Sequence, residues 1–139
     1  MKLLTFDMVE GFHRESLARF GGSDGLRDRG LLESALARPE NVLAYEPDAD
    51  IFRLAAAYGH GLVKNHPFID GNKRTGTLAA VVFLALNGIE VEFDEAEIAV
   101  VIIGVAAGEM SESELAAWLR RSALTAACAL HWVAQLWQP

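Results

Sequence analysis

The stretch KNHPFIDGNKRTG, from Lys64 to Gly76, decides the fold because it joins two strongly apolar segments by one short turn. The segment before it, Asp50–Asn65, has the apolar spacing and the alanines of a closely packed helix. Pro67 disfavours helical geometry at the residue that precedes it, so this helix should end at about Asn65. The turn then opens a second helix over Lys73–Asn87, which is almost entirely apolar and is expected in the middle of a bundle.

The rest of the chain also predicts helices. Thr5 or Asp7 is a candidate cap for a helix with apolar residues up to Phe20, and Asp28 precedes a short helix that should stop near Pro39. Further helices are expected over Glu95–Ala107, capped by Asp94, and after Ser111, where Glu114 completes a capping box. Brief strands are expected at Met1–Leu4 and Ile89–Phe93, and a loop or irregular hairpin at Glu40–Asp50. The fold class is therefore all-α: a compact bundle with a central motif helix and at most a short hairpin or strand pair.

Length and composition limit the functions that are open to this chain. Its 139 residues suit one compact domain, and 52% hydrophobic residues supply enough apolar surface for a core. A net charge of −7 argues against direct binding of nucleic acid, which needs basic surfaces. No apolar run reaches the roughly 18 residues of a membrane span, and the start lacks the features of a signal peptide. Cys128 is the only cysteine, so no disulfide forms within the chain. We expect a cytoplasmic protein without membrane contact.

The helix that opens at Gly71 carries an unusual set of polar residues. Its first backbone N–H groups lack partners within the helix, and Lys73 and Arg74 add positive charge at an end where cations are unfavourable without an anion. This arrangement predicts a site for phosphate or another anion. Asp70 is either a cap or ion-pair partner of these cations, or a ligand for magnesium beside bound phosphates. His66 shares the turn and is a candidate general base. His13, His60 and His131 lack such neighbours and are expected to be structural or surface residues.

The stretch HPFIDGNKRT (His66–Thr75) resembles the signature H-x-F-x-[DE]-[GA]-N-[GK]-R of the Fic/Doc superfamily. Stretches such as RGLLESALARP, FLALNG and GVAAGEMSESELAAWLR resemble the Doc (death-on-curing) branch of type II toxin–antitoxin toxins. The resemblance covers roughly Leu3–Arg121 and indicates a Fic/Doc-like domain at 1–123. A C-terminal extension follows at 124–139, in which Leu130, Val133, Leu136 and Trp137 fall on one helical face. It is expected to be a helix packed on the domain; contact in a dimer or with a partner remains open.

Two positions select an activity within that superfamily. Fic enzymes that transfer AMP have glycine where this chain has Lys73, and a second arginine where it has Thr77. The resemblance to the Doc branch instead implies a protein kinase toxin that transfers the γ-phosphate of ATP to a threonine hydroxyl of elongation factor Tu and so blocks translation. The alternatives are a Fic-like AMP transferase and a non-catalytic partner-binding module.

The resemblance also implies roles for individual residues. His66 would be the general base, and Asp70 would hold Mg²⁺. Gly71, Asn72, Lys73 and Arg74 would bind the phosphates of ATP, with Lys73 and Arg74 also stabilising the charge that develops during transfer. Glu40–Asp50 would be the flap that aligns the target backbone by strand addition.

Regulation is expected from a second protein. Self-inhibited Fic proteins carry [ST]-x-x-x-E-[GN], and in TFDMVEG Glu10 stands one residue too far from Thr5 to match. A separate, cognate antitoxin chain is therefore the expected inhibitor, with a segment that folds as a helix into a groove of the bundle.

Overall fold

The computed structural model describes residues 1–123, and most of them lie in six α-helices. These are α1 (Phe6–Phe20), α2 (Arg29–Tyr45), α3 (Ile51–Asn65), α4 (Asn72–Leu86), α5 (Glu95–Ala106) and α6 (Glu112–Ser122). The all-α prediction is confirmed, whereas the expected extension at 124–139 lies outside the described residues. None of the helices described is long and apolar enough to cross a membrane.

The two predicted strands are absent from the described chain. The N–H of Leu4 donates to the hydroxyl of Tyr58 at 3.1 Å instead of joining a ladder. Val91 forms only an isolated bridge with Ala123. Segments of four and five residues are too short to form a stable strand pair by themselves.

Side-chain caps decide where most of the helices begin. Oxygen atoms of the residue before the helix accept a backbone N–H of the first turn at Thr5, Asp28, Asp50, Asp94 and Ser111. The predicted capping box of Ser111 and Glu114 is present in both directions. Helix α3 ends at Asn65 as expected. Helix α4 is different, because its N-cap is Gly71 and no side chain caps it.

Helix α3 is packed against α2, α4, α5 and α6, and it forms the centre of the bundle. It lies close against α4 at Gly59 and Gly76. A Cβ atom added to Gly59 would lie 3.2 Å from the carbonyl oxygen of Gly76, and one added to Gly76 would lie 3.0 Å from that of Gly59. This close contact holds the two helices on either side of the motif turn in a fixed relation.

Helix α2 extends beyond its predicted end at Pro39. Pro39 lies inside the helix and is buried, and the helix continues to Tyr45. The expected loop over Glu40–Asp50 is therefore wrong for its first six residues. Leu32, Ala35, Pro39 and Val42 share one buried face, and their burial outweighs the roughly 3 kcal/mol that an internal proline costs a helix.

Glu112, at the start of α6, joins three helices through a nearly buried carboxylate. It accepts two hydrogen bonds from Arg38 of α2, at 2.8 and 2.7 Å, and one from Arg53 of α3, at 2.7 Å. Burial alone would raise the pKa of Glu112, but the hydrogen bonds from Arg38 and Arg53 outweigh burial and lower it. The carboxylate is thus charged in the folded protein and ties α6 to the α2–α3 pair.

We expect Glu112→Ala to lower the free energy of unfolding by on the order of 3 kcal/mol at pH 7, because two guanidinium groups lose their shared partner. The folded pKa of Glu112 is depressed, so its stabilising effect is complete above the unfolded pKa and is lost as the pH falls through the folded one. Urea unfolding at neutral and acid pH measures both effects. Glu40→Ala, at an exposed position of α2, is the control. A penalty for Glu112→Ala that did not change with pH would contradict this origin.

Candidate functional site

The motif turn between α3 and α4 is closed by the side chain of Asn72. Its Oδ1 accepts the N–H of Phe68 at 2.9 Å, and its Nδ2 donates to the carbonyl oxygen of Phe68 at 2.9 Å. Asn72 is only 3% exposed and Phe68 only 2%. Phe68 is therefore a buried anchor of the turn. Both ends of the Asn72 amide thus bond to the backbone of Phe68, and the side chain clamps the turn.

His66 begins the turn in a left-handed backbone conformation, with φ 52° and ψ 53°. It is the one residue other than glycine with a positive φ in residues 1–123. Its side chain is exposed. Arg27 holds the backbone from outside, donating through Nε to the carbonyl oxygen of His66 at 2.7 Å and through Nη2 to that of Asn65 at 3.0 Å. A guanidinium group at the C-terminal end of α3 also suits the helix dipole.

The loop between α1 and α2, residues 21–28, lies along the motif turn. The N–H groups of Arg27 and Asp28 both donate to the carbonyl oxygen of Pro67, at 2.7 and 3.0 Å. The N–H of Ile69 donates to the carbonyl oxygen of Gly25 at 3.0 Å, and Leu26 bridges to Phe68. This loop thus borders the candidate site with extended backbone.

The flap assignment to Glu40–Asp50 is wrong. Glu40–Tyr45 belong to α2, and residues 46–50 precede the first turn of α3. His66 follows the other end of that 15-residue helix. Residues 46–50 and His66 are therefore roughly 22 Å apart along the axis of α3.

The uncapped start of α4 carries both cations of the motif. Gly71 adopts φ 79° and forms no side-chain cap, so the first N–H groups of the helix stay available. Lys73 is exposed. Arg74 is partly buried, donates to the carbonyl oxygen of Gly21 at 2.9 Å and lies 5.3 Å from the ring centroid of Phe20. This end of α4 combines free N–H groups with two positive side chains, which is the chemistry of an anion site.

Asp70 presents an ionised carboxylate next to that helix end. Its oxygens accept the N–H groups of Ser23 at 3.2 Å and Gly71 at 2.8 Å. These hydrogen bonds, and more weakly the charge of Arg74, lower the pKa of Asp70. No salt bridge of 4.0 Å or less joins it to Lys73 or Arg74 among the described residues, which argues against the ion-pair alternative.

Asp70 is also the residue of this site that could hold a metal ion. Residues 1–123 contain no group of three or more histidine, cysteine or acidic side chains placed to hold a metal by themselves. A metal at Asp70 would therefore share its coordination with phosphate and water, as magnesium commonly does.

His13 of α1 contacts the motif turn at Asp70 and Phe68, and the sequence did not reveal this contact. Its Nε2 lies 2.7 Å from the carbonyl oxygen of Asp70, and because a carbonyl only accepts, Nε2 must carry the proton. The imidazole ring is stacked on Phe68 at 3.8 Å with an interplanar angle of 7°. The predicted structural role of His13 agrees with these buried contacts, whereas the expectation that it lies away from the motif is wrong. His13 and His66 are 53 residues apart in sequence, but the fold brings α1 against the motif turn. No sequence signal marks such a contact.

One cavity of about 300 Å³ brings the predicted site residues together. It is lined by His66, Asp70, Gly71, Asn72, Lys73 and Arg74. His60 lies on α3, where burial lowers its pKa, and does not line this cavity. Glu10 is likewise absent from the lining. His131 lies outside the described residues. The cavity thus holds an exposed imidazole, an ionised carboxylate, two cations and an open helix start.

We expect Gly22→Ala to raise the pKa of Asp70 toward its usual value. An added Cβ would lie 2.7 Å from Asp70 Oδ2, so the carboxylate must move away from the N–H of Ser23 that lowers its pKa. NMR titration of the Asp70 carboxyl measures the change. Gly21→Ala is the matched control, because Gly21 also has a positive φ but no atom within 4 Å of an added Cβ. Equal pKa shifts in both variants would contradict this explanation.

Known proteins similar to this chain share one family. The chain matches the Fic/DOC family over residues 3–84. It is 36% identical over 121 residues to "Protein kinase doc" of Escherichia phage P1, covering 87% of this chain and 95% of that protein. It is 44% identical over 77 residues to "Toxin Doc" of Mycolicibacterium smegmatis, covering 54% of this chain and 58% of that protein. The chain described here belongs to the Fic/DOC family.

Proposed function

We propose that this protein is the toxin of a type II toxin–antitoxin system and a protein kinase that transfers the γ-phosphate of ATP to a threonine hydroxyl of elongation factor Tu. The observation that carries the proposal is the 300 Å³ cavity, in which His66 and Asp70 face the uncapped start of α4. The similarity of the chain to proteins named "Protein kinase doc" and "Toxin Doc" supports the kinase activity and the toxin function in this proposal. Modification of the factor in the cytoplasm would block translation.

The start of α4 would bind the phosphates of ATP. The backbone N–H groups of Asn72, Lys73 and Arg74 have no side-chain cap to compete with a phosphate oxygen. The ammonium group of Lys73 is exposed and free to follow the charge of the transferred group. Arg74 is held by Gly21 and Phe20, so its positive charge stays in one place during the reaction. A preorganised positive group such as Arg74 stabilises a transition state without further rearrangement.

His66 would accept the proton of the threonine hydroxyl. The hydroxyl oxygen then forms a bond to the γ-phosphorus, the bond from that phosphorus to the β–γ bridging oxygen breaks, and ADP leaves with the electron pair. Arg27 fixes the backbone on which the imidazole is mounted. Asp70 is already ionised and would hold Mg²⁺, which, when bound, neutralises phosphate charge.

The chain contains no clean copy of the self-inhibitory motif, so we propose that a cognate antitoxin chain restrains the enzyme. The name "Toxin Doc" of the relative supports such a pair. Co-expression of the antitoxin should restore growth of cells that produce the toxin.

The proposed reaction can be tested with the purified protein, elongation factor Tu, magnesium and ATP labelled at either end of the triphosphate. We expect label from the γ-phosphate, and none from the α-phosphate, on the factor, and mass spectrometry should find one added phosphate on a threonine. Transfer of α-label would identify AMP transfer instead. Transfer of neither label, with nucleotide bound, would leave a partner-binding module.

We expect His66→Ala to lower the turnover number by at least about 100-fold, because the hydroxyl loses its general base. The fold should remain intact, since the imidazole is exposed and makes no hydrogen bond among the described residues. Phosphate transfer and growth arrest are measured beside far-UV circular dichroism. Lys2→Ala, at an exposed position outside the cavity, serves as the control. Full toxicity of folded His66→Ala would remove His66 from the mechanism.

Lys73→Gly should lower γ-phosphate transfer by about 10-fold to 100-fold, because the site loses one of the two cations that offset developing charge. Lys73→Ala separates the charge from the added backbone freedom of glycine, and it should show most of the same loss. The rates are measured with γ-labelled ATP at saturating nucleotide. Unchanged phosphorylation in both variants would break the link between Lys73 and the donor.

A further inference from the structure

An open apolar groove of about 580 Å³ runs between the end of α1, the first half of α4 and α5. Its apolar lining is formed by Phe20, Leu78, Ile98, Ile102 and Ile103. Phe20 is 69% exposed and Ile103 58%. Exposed apolar patches of this kind on a monomer usually mark a surface that another element covers.

Helix α5 also exposes apolar side chains that no other described element covers. Beyond Glu95 and Glu97 in the first turn it has no charged residue, so its apolar side chains point in every direction. Its buried residues are Val101, Ile102 and Val105, on one side of the helix, whereas Val100 is 71% exposed. A helix that is apolar all round is expected to be covered on more than one side. Nothing in residues 1–123 covers the groove side of α5.

The chain itself contains a segment of matching chemistry. Residues 124–139 include no aspartate, glutamate, lysine or arginine, and 11 of the 16 are apolar, among them Trp132 and Trp137. Burying such a segment costs no desolvation of charged side chains, whereas leaving it in water exposes two indole rings. The charged residues that line the groove are Lys73, Arg74 and Glu95, and the rest of the lining is uncharged.

The point where this segment leaves the domain is next to α5. Ala123 bridges to Val91, and the N–H of Glu92 donates to the carbonyl oxygen of Ser122 at 2.8 Å, three residues before α5 begins at Glu95. The groove side of α5, from Glu95 to Ile103, is roughly 12 Å long, and 16 residues span roughly 24 Å even as a helix. A short tether of this kind gives a local concentration in the millimolar range.

We propose that residues 124–139 pack their apolar side chains into this groove of their own chain. The groove shares Lys73 and Arg74 with the phosphate cavity, so the packed segment lies beside the first turn of α4. A partner that uses the groove must first displace the segment. This packing does not depend on the proposed kinase activity.

Cys128 is the only cysteine of the chain and provides the test. Ala99→Cys places a second thiol in the groove, and Val100→Cys places one on the same helix outside it. Both positions are exposed, so both full-length variants should fold, which circular dichroism checks. In dilute protein under mild oxidation, we expect Ala99→Cys to form a disulfide with Cys128 within one chain at least about 10-fold faster than Val100→Cys. Leu78→Cys, on the α4 wall, provides a second groove position.

A charge in the groove should release the segment. Ile103→Asp, added to Ala99→Cys, is expected to reduce the cross-linking rate to that of Val100→Cys, because an aspartate there must lose its hydration when the segment packs. Three results would overturn the proposal. Equal rates inside and outside the groove would mean that the segment does not bind there. Disulfide-linked dimers would assign the groove to a second copy. Absence of a disulfide from both groove positions would leave the groove to a separate partner.

Discussion

The two hydrogen bonds between the amide of Asn72 and the backbone of Phe68 are the constraint on which the candidate site depends. They close the motif turn from within and place Phe68 in the core. With that ring fixed, the chain has to bring Asp70 to the surface and begin α4 at Gly71 without a side-chain cap. His13 then holds the carbonyl oxygen of Asp70 and stacks on Phe68, so α1 supports the same turn from another direction. The site is therefore an outer surface whose geometry is fixed by buried contacts.

That geometry leaves α4 without the local stability that a side-chain cap gives. Five of the six helices described have side-chain caps, each typically worth about 1 kcal/mol, and α4 does not. Its first turn also carries two cations, which the helix dipole disfavours. The close contact of α3 and α4 at Gly59 and Gly76 supplies stability to the same helix pair. Tertiary packing can thus support a helix start that stays open for an anion.

Much of this arrangement could be predicted from short-range patterns. The end of α3 before Pro67, the capping box at Ser111 and the grouping of His66, Asp70 and Arg74 all depend on residues within one or two helical turns. Long-range contacts escaped prediction. Burial of one face kept α2 helical through Pro39, which moved the connection to α3 away from the site and invalidated the flap assignment. The loop at residues 21–28 and His13 reach the motif only through the packing of α1, and no local pattern encodes that contact. The amide of Asn72 illustrates the same limit. The family resemblance implied a phosphate ligand at this position, and the hydrogen bonds to the backbone of Phe68 became visible only in the structure.

The left-handed backbone of His66 has a consequence for evolution and for protein engineering. A residue with a Cβ atom in that conformation costs roughly 1 kcal/mol, which glycine avoids. Replacement of His66 by glycine should therefore make the folded chain more robust to heat while removing its imidazole. Under the toxin function proposed above, selection for survival of the host and selection for thermal robustness would favour the same substitution, so inactive descendants would be reached by a single change. Under the same proposal, demand for the chemistry of the imidazole is what would keep histidine at this strained position.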